Sequence, residues 1–362
     1  MINEHFLEEP NILDMSKEIF NSVVDKNLKV ETRFQLLSKK IQDAETVNFI
    51  LADGLGFSNL QSTESFLNEY INNSINTTFP SSTNVALTTI AMLTSPIRHG
   101  IFGYYMYDKS NYGLINALNW NAENKDLLQA KYFKSQSSVW SIFNESGIYA
   151  SNFQPRNLIN TPLSSFLYEK KSTVPYISQD DLLVTLSDSL FLENKFNFIY
   201  YPNIDVSAHV YGVNSDEWLT EIKKFEELVK KILELSNKKS YTVISADHGL
   251  TNIPKENRFH ITYKENINVY GDQRAVYING SEKNIIKAFS NIPGKLINQT
   301  ELNFLLPTPD NNFIESLYPD FCFLVEDKNI IYPQHLKTEL KGYHGGLSKE
   351  EIKIPIIEIS NF

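Results

Sequence analysis

The chain has 362 residues, 42% of them apolar, enough to bury the core of one large domain or two ordinary ones, which excludes a disordered chain. Its 33 Lys and Arg against 43 Asp and Glu give a net charge of −10 without a basic block, which excludes a nucleic-acid groove. The single cysteine, Cys322, sits in the apolar run 321–325. It excludes an intramolecular disulfide framework and a Cys-cluster zinc site, and is expected in the core.

The first residues carry Glu4, Glu8 and Glu9 where an export signal needs positive charge and then an apolar stretch, and nowhere do 18 apolar residues run together. The expectation is a cytoplasmic protein with no membrane partner. Residues 1–45 place Ile19, Phe20, Val23 and Val24, then Phe34, Leu36 and Leu37, at helical spacing, which predicts a pair of outer helices on the core. The run VNFILA (47–52) is short and continuously apolar, the pattern of a strand covered on both faces, and breaks at Asp53-Gly54-Leu55-Gly56. FNFIYY (196–201) and YTVIS (241–245) repeat that pattern, and acidic or histidine residues follow each. Helical spacing at 85–93, 137–144 and 218–235 lies between them. Strands alternating with helices predict an α/β fold with a mostly parallel central sheet, whose sites form at the carboxyl ends of strands.

Beyond residue 253 short β-like pieces at 259–263, 268–270, 274–278 and 323–326 predict a small inserted α+β cap spanning 254–339. The catalytic core is then 46–253 plus 340–362. The tail 352–359 reads as a further strand, with Pro355 pointing to an edge or a bulge.

Three segments end candidate strands with metal-type side chains, Asp53, Asp205 with His209, and Asp247 with His248, and a fourth, Gly342-Tyr343-His344-Gly345-Gly346, places His344 among glycines just before the last strand. Singly, each has a bland reading as a turn, a surface pair or a loop histidine. Together they supply three aspartates and three histidines at one kind of place. Oxygen and imidazole ligands without thiolate suit zinc, with manganese or magnesium as alternatives, and six ligands are too many for one tetrahedral ion. Two ions sharing them with a hydroxyl would form an arrangement suited to displacement at phosphorus. The hydroxyl lies in Thr77-Thr78-Phe79-Pro80-Ser81-Ser82-Thr83-Asn84, just before the helical pattern 85–93. There Ser82 or Thr83 reads as a helix cap, and a hydroxyl also faces the positive end of the helix dipole.

In this order the segments resemble the type I phosphodiesterase and nucleotide pyrophosphatase branch of the alkaline phosphatase superfamily, with its D-G-x-G, P-x-x-H-G-I/V, D-x-x-x-H, D-H-G and H-G-G motifs. The resemblance runs from residue 47 to 360, with Pro96-Ile97-Arg98-His99-Gly100-Ile101 as the second motif. It implies an alkaline-phosphatase-like α/β/α sandwich and two zinc ions, one held by Asp53, Thr83, Asp247 and His248, the other by Asp205, His209 and His344. Register from the His99-Gly100 pair selects Thr83 as nucleophile over Ser81 and Ser82, and His99 itself is a packing residue. Asn84 and Tyr104 are the substrate-binding positions. Tyr104 replaces the family's usual asparagine, and Met92-Leu93 replaces a Thr-Gly pair. The implied activity is hydrolysis of a small-molecule phosphodiester or nucleotide pyrophosphate through a phospho-threonine intermediate.

The rival readings are a phosphomonoesterase or mutase-like phosphotransferase of the same superfamily, and a catalytically idle binding protein stabilised by metal. A sulfatase is set aside because Cys322 lacks the required neighbours. Arg98 and Arg274 are the arginines that would clamp a free phosphate, with salt bridging as the favoured reading. Phe102, Tyr104, Tyr105 and Tyr107 read as a core stripe before they read as a stacking surface.

Overall fold

The computed structural model describes residues 3–24, 35–123, 131–191, 195–236, 239–261, 266–333 and 339–360. Its centre is a seven-stranded sheet in the order Ile71–Asn76, Lys353–Ser360, Ser240–Ser245, Thr46–Ala52, Phe196–Tyr201, Ala150–Pro155 and Thr173–Tyr176. The last five strands of that order run parallel to one another. Every residue of the strands Ser240–Ser245, Thr46–Ala52 and Phe196–Tyr201 is buried. That explains their continuous apolar runs, because helices cover both faces of a parallel sheet. Phe20, from the helix Ile12–Val24, packs on Phe49, Phe143 and Phe196 on one face. On the other, Phe225 of the helix Asp216–Leu235 packs 5.0 Å from Tyr201. Period-two alternation along a strand thus builds the two outer layers of the expected sandwich.

The expected N-terminal pair is present as the helices Ile12–Val24 and Gln35–Asp43; Phe34 lies outside the described residues. The tail strand is interior, not an edge. It lies between Ile71–Asn76 and Ser240–Ser245, and its register shifts between Ile356 and Ile357. Pro355 faces Ser74 on one side, while pairing to Ser240–Ser245 begins only at Ile357, so the missing proline N–H breaks no rung of that second ladder.

A second seven-stranded sheet is antiparallel, in the order Gly294–Asn298, Phe321–Val325, Ala275–Gly280, Ile267–Gly271, Tyr105–Asp108, Gly113–Asn116 and Asn121–Ala122. The four short strands read from 254–339 appear here or beside it, the first as Arg258–His260; residues 262–263 lie outside the described residues. Residues 105–122, placed in the core by their sequence position, supply three strands to this sheet. Pairing of Gly271 with Tyr105 joins the two segments, and this junction brings residues 272 and 104 to the mouth of the site. Cys322 is buried between Tyr277 and Ile297.

Candidate metal centre and nucleophile

Three adjacent parallel strands deliver three aspartates to one rim. In register, Leu51 lies beside Ser245 and Ala52 beside Tyr201. Asp53 and Asp247 therefore emerge side by side, and Asp205 follows on the first turn of the helix Asn203–Tyr211, which leads out of Phe196–Tyr201. The turns after the strands are forced close. Gly54 has φ +75°, which favours glycine. A Cβ on Gly249 would lie 2.1 Å from the Glu350 carbonyl oxygen and 2.7 Å from the Gly56 Cα, so two glycines of separate motifs meet backbone to backbone.

Thr83 is the first residue of the helix Thr83–Met92, after Ser82 in extended conformation. Ser82 does not cap the helix with its side chain; its hydroxyl donates to Asn84 Oδ1 at 3.0 Å. Thr83 Oγ1 lies 3.0 Å from His248 Nε2. Two groups of three side chains bring ligand atoms within 4.8 Å of one another: Asp53, Asp247 and His248, and Asp205, His248 and His344. His209 joins the second group through Asp205, its Nε2 lying 3.2 Å from Asp205 Oδ2.

The hydrogen bonds around these groups prepare them for a cation. Each of the three histidines has its Nδ1 against a backbone carbonyl: His209 on Gly342 at 2.8 Å, His344 on Ser81 at 2.8 Å and His248 on Gly249 at 3.2 Å. For His248 and His344 this puts the proton on Nδ1 and leaves Nε2 as the lone-pair donor, as carbonyls behind a metal-bound imidazole do, whereas His209, charged beside Asp205, gives up its Nε2 proton when it ligates. Asp247 Oδ1 accepts from the Gly54 and His248 N–H groups, and Asp53 Oδ2 accepts from the Tyr200 hydroxyl. The remaining oxygens, Asp53 Oδ1, Asp205 Oδ1 and Asp247 Oδ2, are buried without a hydrogen-bond partner. Three orphaned carboxylate oxygens among three inward imidazole nitrogens fit divalent cations, because burying such charge unpaired is otherwise costly.

The electrostatics agree. Burial, then the charges of Asp247 and Asp205, push the Asp53 carboxyl well above the usual range, and burial with Asp205 pushes Asp247 up to about 6. Burial alone would raise Asp205, but the neighbouring His209 wins and holds it low; in return Asp205 overcomes burial and lifts His209 to about 9. Burial presses His248 down to about 4 and, with His248 beside it, His344 down to about 3, so both imidazoles are neutral and free to ligate.

A cavity of about 710 Å³ opens beside Thr83. Tyr104 lines it, half-buried. Asn84 lines it too, although its amide is committed to Gly103 O at 2.9 Å and to Ser82. Phe102 is core, 6.3 Å from both Tyr277 and Tyr318. His99 is core as well, 2.9 Å from Thr89 Oγ1. Arg274 is buried in a salt bridge with Glu351 at 2.7 Å, and Arg98 is exposed, so neither reaches the cavity. Sequence reasoning missed Tyr200 and Asp272, and weighed Ser81 only as an alternative nucleophile and not for its bonds to the His344 loop. Tyr200 is the penultimate residue of a strand buried on both faces, so its sequence context does not say that its hydroxyl meets Asp53.

A family model described as type I phosphodiesterase / nucleotide pyrophosphatase matches residues 47–292. No curated protein matches the chain by sequence. Among solved structures, murine ectonucleotide pyrophosphatase / phosphodiesterase 5 is similar at TM-score 0.66 and 16% identity, over 86% of this chain and 87% of that one. An inactive form of it in complex with AMP is similar at TM-score 0.66 and 16% identity, over 87% and 88%. Phosphonoacetate hydrolase from Sinorhizobium meliloti, in complex with phosphonoacetate, is similar at TM-score 0.65 and 14% identity, over 87% and 90%. These likenesses show a shared α/β fold with a large, mostly parallel central sheet.

Proposed function

Because the chain belongs to the type I phosphodiesterase / nucleotide pyrophosphatase family, whose chemistry is phosphoester hydrolysis, we propose that it cleaves phosphodiester or nucleotide pyrophosphate bonds with Thr83 as nucleophile. The observation that carries this reading is the position of Thr83 Oγ1, 3.0 Å from His248 Nε2 at the start of a helix and at the mouth of the cavity.

Asp53, Asp247 and His248 with Thr83 would hold one divalent cation, zinc by donor type, and Asp205, His209 and His344 a second. Such cations supply positive charge that makes the threonine hydroxyl acidic and neutralises phosphoryl oxygens. The chain's own residues do the rest. Thr83 Oγ1 gives its proton to solvent water and attacks phosphorus; the Oγ1–P bond forms as the bond to the leaving oxygen breaks, and that oxygen takes the proton back from solvent. Water then attacks the phospho-threonine, the Oγ1–P bond breaks, and Thr83 regains its proton. The start of the helix turns its positive dipole end toward both the alkoxide and the phosphoryl oxygens. The carbonyls of Gly342, Ser81 and Gly249 hold the three imidazoles in one tautomer throughout.

The test is release of p-nitrophenol from bis-p-nitrophenyl phosphate with zinc, manganese or magnesium supplied. Thr83→Ala is expected to lose at least about a thousandfold in kcat, and Thr83→Ser to retain part of it. Full turnover by a folded Thr83→Ala protein would overturn the assignment.

A further inference from the structure

One wall of the cavity beside Thr83 has its hydrogen-bonding sense fixed from behind. Gln179, Tyr201 and Asn203 line the cavity, whereas Glu221, on the helix Asp216–Leu235, does not. The buried Glu221 carboxylate is salt-bridged through Oε2 to Lys224 Nζ at 3.1 Å, and its Oε1 accepts from the Tyr201 hydroxyl at 2.5 Å. A carboxylate has no proton to give, so the Tyr201 O–H must point at Glu221. Burial, then Glu221, raises that hydroxyl well above the usual tyrosine range, so it keeps its proton.

The Tyr201 oxygen is then left as an acceptor alone. Gln179 Nε2 donates to it at 2.8 Å, and the Asn203 side chain bonds the same hydroxyl. An amide that meets an acceptor must turn its NH2 group toward it, which sends Gln179 Oε1 the other way. Gln179 is half-buried, and among the described residues no protein group donates to that oxygen. Tyr176, another lining residue, is committed in the same sense, because its hydroxyl donates to the Tyr200 carbonyl at 2.7 Å and leaves only lone pairs free. The wall therefore offers acceptors to whatever fills the cavity, with Leu158 and Leu163 as apolar neighbours in the lining.

We infer that Gln179 is a specificity-determining residue that selects substrates carrying an O–H or N–H donor on the ester substituent held in this cavity, and that Tyr201 and Glu221 are positioning residues acting through it. The inference rests on the Thr83-dependent hydrolysis proposed above. An amide free to turn over accepts or donates equally well and tells no donor from an acceptor. Held in one sense, it pairs with a substrate donor and leaves a substrate acceptor facing lone pairs, unpaired and partly desolvated.

The experiment measures kcat/KM by p-nitrophenol release, with metal supplied, for paired p-nitrophenyl phosphodiesters whose second ester is ω-hydroxyalkyl or ω-methoxyalkyl, over chains of about two to eight methylenes. At the lengths that reach Gln179 the hydroxy ester is expected to lead its methoxy partner by about fivefold or more. Gln179→Met is expected to bring the ratio near one at every length. Glu221→Gln can donate to Tyr201 and let the hydroxyl and the Gln179 amide reverse, so its lead is expected to fall to about twofold or less. Tyr201→Phe frees the amide directly and serves if Glu221→Gln does not fold. A merely structural role would slow both members of a pair alike, and a ratio taken within one protein is independent of its folded fraction. Hydrolysis that Thr83→Ala abolishes but that shows no hydroxy lead at any length, or a lead that survives in folded Gln179→Met, overturns this inference and leaves the proposed hydrolysis standing. A lead lost in Gln179→Met yet intact in folded Glu221→Gln and Tyr201→Phe overturns the part given to those two residues. Turnover of none of the esters, or turnover that survives Thr83→Ala, removes the proposed function and this inference together.

Discussion

Ser81 grips the loop of His344 with both its backbone and its side chain. Its carbonyl accepts from His344 Nδ1 at 2.8 Å, while its hydroxyl accepts from Gly345 N at 3.0 Å and donates to Gly346 O at 2.9 Å. The segment that carries Thr83 thus fixes the orientation of an imidazole more than 260 residues away in sequence. Thr77 performs a similar service on the other side, its hydroxyl bonding the Asp247 carbonyl.

Removing the Ser81 hydroxyl should therefore loosen a candidate metal ligand without touching it. Ser81→Ala leaves the Gly345 N–H without its acceptor in a fully buried place, which costs about 1–3 kcal/mol. Outer partners of metal-bound histidine typically account for roughly ten- to a hundredfold in affinity. The expected result is a lower melting temperature and a half-saturating metal concentration raised about tenfold or more. An unchanged metal titration would show that Ser81 does not position His344.

The salt bridge of Arg274 and Glu351 is predicted to be structural. Both side chains are buried, and Glu351 also accepts from Gly346 N at 2.8 Å and closes a capping box with Ser348. Arg274→Met would leave that carboxylate buried without its partner, a loss of about 3–5 kcal/mol. Denaturant midpoints should fall accordingly, whereas the ratio of diester to monoester rates should hold, because Arg274 does not line the cavity. A large change in that ratio with stability intact would instead make Arg274 a substrate clamp.

Much of the catalytic half was legible in the sequence for a physical reason. Strands of a doubly covered parallel sheet must be apolar throughout, so Val47–Ala52, Phe196–Tyr201 and Tyr241–Ser245 announce themselves, and the first polar residue after each marks the rim where Asp53, Asp205 and Asp247 stand. What stayed hidden depends on register and on distant pairing. Nothing local to Tyr105–Asp108 says that it joins the sheet of Ile267–Gly271, and without that pairing Asp272 has no visible reason to lie beside Tyr104. Pro355 argued for an edge or a bulge, and the strand is interior with its register shifting just after the proline, between Ile356 and Ile357, where its second neighbour begins to pair. Ser81 looked like one hydroxyl among several, since its partners lie on a loop near the other end of the chain.

His99 should make the fold acid-sensitive. Its Nδ1 accepts from Ile101 N at 3.2 Å and its Nε2 faces Thr89 Oγ1 at 2.9 Å, so the ring is bonded as the neutral tautomer, and burial presses its pKa down to about 3. A group with a depressed folded pKa contributes stability in full above its unfolded value, near 6.5, and loses it as pH falls toward the folded value. Between those limits each pH unit removes about 1.4 kcal/mol. Melting curves at pH 7.5 and 5 should show a larger acid-induced drop for the native chain than for His99→Gln, which can keep both hydrogen bonds and takes up no proton. Equal drops would assign the acid sensitivity elsewhere.

Chelation and the substitution Asp247→Asn should act in opposite directions depending on metal. In the chelated protein Asp247 is held at a pKa of about 6 by burial and by the charge of Asp205. A carboxyl raised in this way contributes stability at low pH, where it is protonated in both states, and that contribution disappears as pH climbs from the unfolded value near 4 through about 6. The loss is on the order of 3 kcal/mol. Asparagine keeps an oxygen for the Gly54 and His248 N–H groups and carries no charge against Asp53 and Asp205, so at pH 8 the chelated variant should melt several degrees above the chelated native chain. Adding zinc or manganese should reverse the order: the native chain gains binding energy that the variant, short of one ligand, gains only weakly, and hydrolysis in the variant should fall by orders of magnitude. Thermal scans of both proteins with and without metal, at about pH 5 and 8, read all of this. A chelated variant no more stable than the native chain would mean that the three aspartates do not repel one another, and that the rim of the sheet is not built around cations.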